Sequence, residues 1–138
     1  MKVKINTFGG PLPEVHGDWI DLFTAEEVAM KAGDYKEISL GVAMELPKEC
    51  YAMMLPRSST FKRYGIQMAN SMAIIDNDYC RNDDIWHFLA YATRDTVIPA
   101  RTRICQFSIA KKAEAVEFDP VNELTNSNRG GIGSTGSK

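Results

Sequence analysis

Asp76 stands where a carboxylate could act on a water molecule. Ile74 and Ile75 lead straight into the turn-forming triplet Asp76-Asn77-Asp78, and Tyr79 follows. β-Branched residues favour extended backbone and Asx residues favour reversal. The pattern therefore predicts a strand that carries Asp76 to the tip of a tight hairpin, with Tyr79 opening the return. Alone, the same triplet also describes a solvated turn. Three further segments add donors: Pro56-Arg57-Ser58-Ser59, Arg103-Ile104-Cys105-Gln106, and Arg129-Gly130-Gly131-Ile132-Gly133-Ser134-Thr135-Gly136.

Hydrolysis of a phosphoanhydride requires a positioned water, a base to take its proton, and cations or N–H groups where charge collects on the phosphates. Asp76 is the candidate base. Arg57, Ser58, Arg103, Gln106, Arg129, Ser134 and Thr135 are candidate donors. The glycines of the last segment free the backbone to turn N–H groups toward an anion, while by composition the same segment also reads as a disordered end. A Mg²⁺ ion would be held mainly by substrate phosphates, because it keeps several of its waters and takes few protein ligands.

The elements that must position these groups are strands. Val3 and Ile5 alternate with lysines and Asn6, and Gly9-Gly10-Pro11-Leu12-Pro13 breaks the pattern. Extended character resumes over 17–22, runs as one long strand or a strand pair over 35–46, and returns over 50–55, 66–75, 105–109 and 113–118. Residues 24–27 predict a brief turn or one helical turn, and Ala32-Gly33-Asp34 a turn. Residues 57–63, led by serines, predict one short helix. His16 reads as a loop residue and His87 as a satisfied histidine in an apolar strand. Met44, Met53, Met54, Met68 and Met72 read as core fillers, and Lys111-Lys112 as a solvated charge pair. Many short strands with frequent turns predict an all-β sandwich or jelly roll. Residues 1–121 form its single domain, and 122–138 a glycine-rich, mobile tail without a core of its own.

A chain of 138 residues can bury about two-thirds of its unfolded surface without staples. A net charge of −2 offers no field for a nucleic-acid backbone, so none is expected as a partner. Three scattered cysteines and two histidines suggest neither a disulfide framework nor a zinc site. With no apolar run long enough to span a bilayer and no export leader, a soluble protein of the reducing cytoplasm is expected.

In order and spacing, the four segments resemble the trimeric dUTPase family, whose patterns run P-R-S-[GS], G-x-I-D-x-x-Y-x-G, G-x-R-[IV]-x-Q and R-G-x-G-G-F-G-S-T-G. The resemblance spans nearly the whole chain. It implies a jelly-roll-like barrel and a dUTP diphosphatase that uses Mg²⁺. It also implies a homotrimer in which three subunits build each site and the tail reaches a neighbour. By the resemblance, Asp76 activates the attacking water and Tyr79 packs on the deoxyribose. Asn70 supports the backbone that reads uracil. Arg57, Ser58 and Gln106 contact phosphates, and Arg129, Ser134 and Thr135 close over them. Asp21 matches the family aspartate near the metal-bound waters.

The chain departs from the family pattern at Ala73 and Arg81, where glycines are usual, at Arg101-Thr102 in place of Gly-Asp, and at Ile132 in place of the lid phenylalanine. Those departures motivate a rival reading, a nucleotide-binding regulatory protein of the same fold with little or no catalysis. A dCTP deaminase-like enzyme is the third reading, disfavoured by the Asp76–Tyr79 pair and the terminal motif.

Overall fold

The computed structural model describes residues 1–127 and 129–131. Twelve strands and one helix follow in order: β1 (Lys4–Asn6), β2 (Glu14–His16), β3 (Trp19–Phe23), β4 (Val28–Met30), β5 (Tyr35–Ser39), β6 (Ala43–Glu45), β7 (Cys50–Pro56), α1 (Thr60–Tyr64), β8 (Ile66–Met68), β9 (Ala73–Asp76), β10 (His87–Ala92), β11 (Thr96–Ile98) and β12 (Arg103–Lys111). The expected all-β class with one short helix is what these residues form.

An antiparallel five-stranded sheet, ordered β2-β3-β12-β7-β9, carries every functional segment except the tail. A three-stranded sheet, β5-β10-β8, and the pairs β1-β6 and β11-β4 complete the fold. β12 is the spine: it pairs with β3 through Gln106↔Asp21 and with β7 from Cys105↔Pro56 to Lys111↔Cys50. Its alternation sends Cys105 and Phe107 into the core, and Phe107 meets Trp86 edge-on with ring centroids 5.0 Å apart at 73°. That contact links the five-stranded sheet to the chain entering β10. Leu22, Met54, Ile66, Phe88, Ile98 and Ile104 fill the space around it.

Several expected elements divide differently. Residues 66–75 are two strands, because Ser71 takes a left-handed φ of 64°. Its N–H bonds to the Met68 carbonyl at 3.0 Å, so the chain turns and passes from one sheet to another. Residues 35–46 likewise split at Gly41, whose φ is 66°, into β5 and β6 in separate sheets. His16 lies in β2, not a loop. Met44, Met54 and Met68 are core residues as expected, whereas Met72 lies in the turn before β9 and is exposed.

The largest correction concerns 113–118, which form no strand. Val116 and Phe118 are exposed in irregular backbone. A strand needs a neighbour to satisfy its N–H and C=O groups, and none of this chain's described strands pairs with the segment.

Candidate active site

The donor end of the site is built where β7 gives way to α1. Pro56 pairs with Cys105, and the Arg57 N–H then donates to the Ile104 carbonyl at 3.3 Å and to Thr60 Oγ1 at 3.1 Å. Thr60 is buried, and its hydroxyl donates onward to the Ile104 carbonyl at 2.7 Å. Thr60 thus ties the start of the helix to the spine strand. The expected serine cap is absent: Ser59 sits at the N-cap without a side-chain bond, and Ser58 is exposed.

Arg57 Nε lies 3.4 Å from Asp21 Oδ1, with Arg103 Nε 3.9 Å from Asp21 Oδ2 and His16 Nε2 3.6 Å from the same oxygen. Asp21 is 5% exposed, so the two arginines supply the charge partners that burial of a carboxylate demands. Arg103 also pairs with Glu14 and lies over the Phe23 ring. Gln106, directly opposite Asp21, donates from Nε2 to the Pro56 carbonyl at 3.3 Å. Arg57, Asp21, Arg103 and Gln106 therefore converge at this end of the sheet as expected. Glu14 and His16 join them unannounced by the sequence, since it is the β2–β3 hairpin register that folds them back onto Asp21.

Asp76 ends β9, paired with Tyr51 at the opposite end of β7. Its Oδ1 accepts from Lys112 Nζ at 2.9 Å and from the Asn77 N–H at 2.6 Å. These two bonds, the lysine's first, hold the carboxyl below its usual range although it is open to solvent. The Tyr79 N–H closes the turn onto the Asp76 carbonyl at 3.2 Å. Thus Asp76 and Tyr79 are neighbours as expected, but the return is irregular, not a hairpin strand. The Tyr79 hydroxyl donates to the Ile85 carbonyl at 3.0 Å, and desolvation followed by Asp84, Asp83 and Glu37 raises its pKa. Asn70 is exposed in the turn before β9, at the end away from Asp76.

The chain thus holds the two groups of candidate residues apart. Tyr51, beside Asp76, and Arg57, just beyond the end of β7, are six residue steps apart along the chain, a span of about 20 Å at strand rise. Arg129 is exposed in irregular backbone, while Ser134, Thr135 and Ile132 lie outside the described residues.

The dUTPase family model matches residues 19–137. The chain belongs to the dUTPase family. It is 53% identical over 122 residues to the SPbeta prophage-derived deoxyuridine 5'-triphosphate nucleotidohydrolase YosS of Bacillus subtilis, covering 88% of this chain and 86% of that one. It is 37% identical over 140 residues to the deoxyuridine 5'-triphosphate nucleotidohydrolase of Rickettsia akari, covering 96% and 93%. In structure it resembles the dUTPase of Streptococcus mutans, with a TM-score of 0.73, 21% identity, and 85% and 100% of the two chains covered. It also resembles a D95N dUTPase from phage phi11 of S. aureus, described with a structural Mg(II) ion, at a TM-score of 0.76, 15% identity, and 90% and 99% coverage. The dUTPase fold is common to all of them.

Measured against the family pattern, the departures of this dUTPase sort by backbone. Arg101 has φ 60°, so an arginine occupies a conformation that favours glycine. Its N–H donates to the Thr24 carbonyl at 2.9 Å, the Thr102 N–H donates to Thr24 Oγ1 at 3.0 Å, and the Thr102 hydroxyl donates to Pro99 at 2.7 Å. Arg81 has no positive φ, and its N–H is held by Asp84 at 3.0 Å. Ala73 is half-buried against the core and pairs with Met54.

No group of three or more His, Cys, Asp or Glu residues suited to a metal occurs among the described residues. Asp21 and Glu14 are neighbours across β2–β3, and both are engaged by arginines. This donor set does not form a closed protein cage. It fits an ion carried by the triphosphate, with at most one or two carboxylates facing its waters. No described helix is long and apolar enough to cross a membrane.

Proposed function

We propose that this dUTPase hydrolyses dUTP to dUMP and pyrophosphate, with Asp76 taking the proton from a water that attacks the α-phosphate. The observation that carries the reading is the solvent-open Asp76 carboxylate, fixed at a strand end and kept ionised beside the Tyr79 turn. An ionised carboxylate accepts a proton, and the O–P bond to the leaving pyrophosphate breaks as the water oxygen adds.

Arg57, Ser58 and Gln106 bind the phosphates in this reading, and Arg129, Ser134 and Thr135 close over them from the tail, 122–138, that follows the single domain of 1–121. Asn70 and Tyr79 select uracil and deoxyribose. Asp21 would lie toward a Mg²⁺ ion carried by the substrate, which would supply charge neutralisation on the phosphates. The spacing of Asp76 and Arg57 within one chain supports a homotrimer, each site combining segments of different subunits. The cytoplasm, where nucleotides are made, is the proposed location.

Pyrophosphate release with Mg²⁺ from dUTP, dTTP, dCTP and UTP, by wild type and Asp76→Asn, tests the reading. Turnover of dUTP alone, lost in Asp76→Asn, is expected. Binding of dUTP without turnover by the wild type would overturn it in favour of a regulatory nucleotide-binding protein.

A further inference from the structure

Lys112 lies one residue beyond the end of β12, where chain spacing alone reads as a solvated charge pair. Its Nζ donates to Asp76 Oδ1 at 2.9 Å and to Asn77 Oδ1 at 2.8 Å, bridging the carboxylate to the turn that follows it. Its own backbone is anchored: the Lys112 N–H donates to the Glu49 carbonyl at 2.8 Å, and Glu49 is held at φ 66° in the turn that starts β7. The root of the side chain is therefore fixed by the same strand that pairs with β9, so Lys112 and Asp76 are set against one rigid element.

We propose that Lys112 is a positioning residue for Asp76, clamping its carboxylate in one orientation toward the attacking water. The proposal rests on Asp76 being the base. A bare carboxylate at a strand end rotates freely about χ2, and only some rotamers direct an oxygen at the attacking water. Contacts to Oδ1 from both Lys112 and the Asn77 N–H restrict that rotation.

Tyr51 lies opposite Asp76 in the ladder, and Glu49 and Asp78 lie close enough to Lys112 to favour its charged form, after the larger effect of Asp76 itself. A nearby ammonium favours the carboxylate form, so Asp76 stays ionised to lower pH than it would alone. Removing the ammonium moves its titration up.

The test is the titration of the Asp76 carboxyl, followed by carbon-detected NMR in wild type, Lys112→Met and Lys112→Arg, beside steady-state dUTP hydrolysis. Lys112→Met is expected to move the Asp76 titration to higher pH. It should also lower kcat by about two- to fivefold with little change in KM, the scale of an exposed ion pair. Lys112→Arg keeps the titration and most of kcat. An Asp76 titration identical in wild type and Lys112→Met overturns the proposal, as does an undiminished kcat. A loss confined to KM also overturns it, since Lys112 would then be a substrate contact. The failure of Asp76 as base is separately visible: Asp76→Asn would still turn over dUTP, while the NMR titration would continue to report on the clamp.

Discussion

Asp76 and Arg57 sit at opposite ends of the same strand partner: Asp76 pairs with Tyr51 near the start of β7, and Arg57 follows Pro56 at its end. In the proposed homotrimer, the base of one copy would meet the phosphate ligands of another.

Complementation tests this directly. Asp76→Asn and Arg57→Ala are each expected to be inactive alone. Unfolded and refolded together in equal amounts, they should recover about a quarter of wild-type dUTP turnover, because random mixing leaves that share of shared sites with both residues intact. Recovery absent from a mixture proven to contain hybrid trimers would place both groups in one subunit's site.

Thr60 offers a second test. Its hydroxyl accepts from the Arg57 N–H and donates to the Ile104 carbonyl inside the core. Thr60→Val removes the hydroxyl and leaves the Arg57 N–H with only its longer bond. It should cost about 1–3 kcal/mol in urea unfolding and lower kcat/KM for dUTP by displacing Arg57. Thr60→Ser should retain both properties.

Arg101 is strained where its family uses glycine. Arg101→Gly is expected to change stability by no more than about 1 kcal/mol in either direction, relief of the left-handed backbone offsetting the entropy that glycine adds to the unfolded chain. Arg101→Val should destabilise by about 1–2 kcal/mol, since a β-branched side chain tolerates this φ poorly. Chemical denaturation of the three proteins compares them.

Thiol labelling probes the core. Burial, with a smaller contribution from Asp21, pushes the Cys105 thiol far above its ordinary pKa, so little reactive thiolate forms there. Cys50 is buried and Cys80 exposed. A disulfide reagent at pH 8 should modify Cys80 rapidly in the native protein, and Cys50 and Cys105 only on unfolding. Rapid native labelling of Cys105 would show that the β12 spine opens readily.

The sequence by itself determined the all-β class, the short helix after Pro56, the identity of Asp76 as the carboxylate at a strand end, and the donor segments at Arg57 and Gln106. Those features are local. Residue type, β-branching and turn chemistry within a few positions are enough to reveal them. The break at Ser71 and the split at Gly41 were hidden, because which sheet a short strand joins depends on partners far away in the chain. The failure of 113–118 to form a strand has the same cause: alternation describes a side-chain pattern, while a strand also needs a neighbour to bond. Only the tertiary structure decided that Glu14 and His16 reach Asp21, that Lys112 lies against Asp76 and Asn77, and that Asp76 and Arg57 lie a strand's length apart. Each is a through-space relationship set by strand register, and register is fixed by the whole pattern of burial, not by the residues concerned.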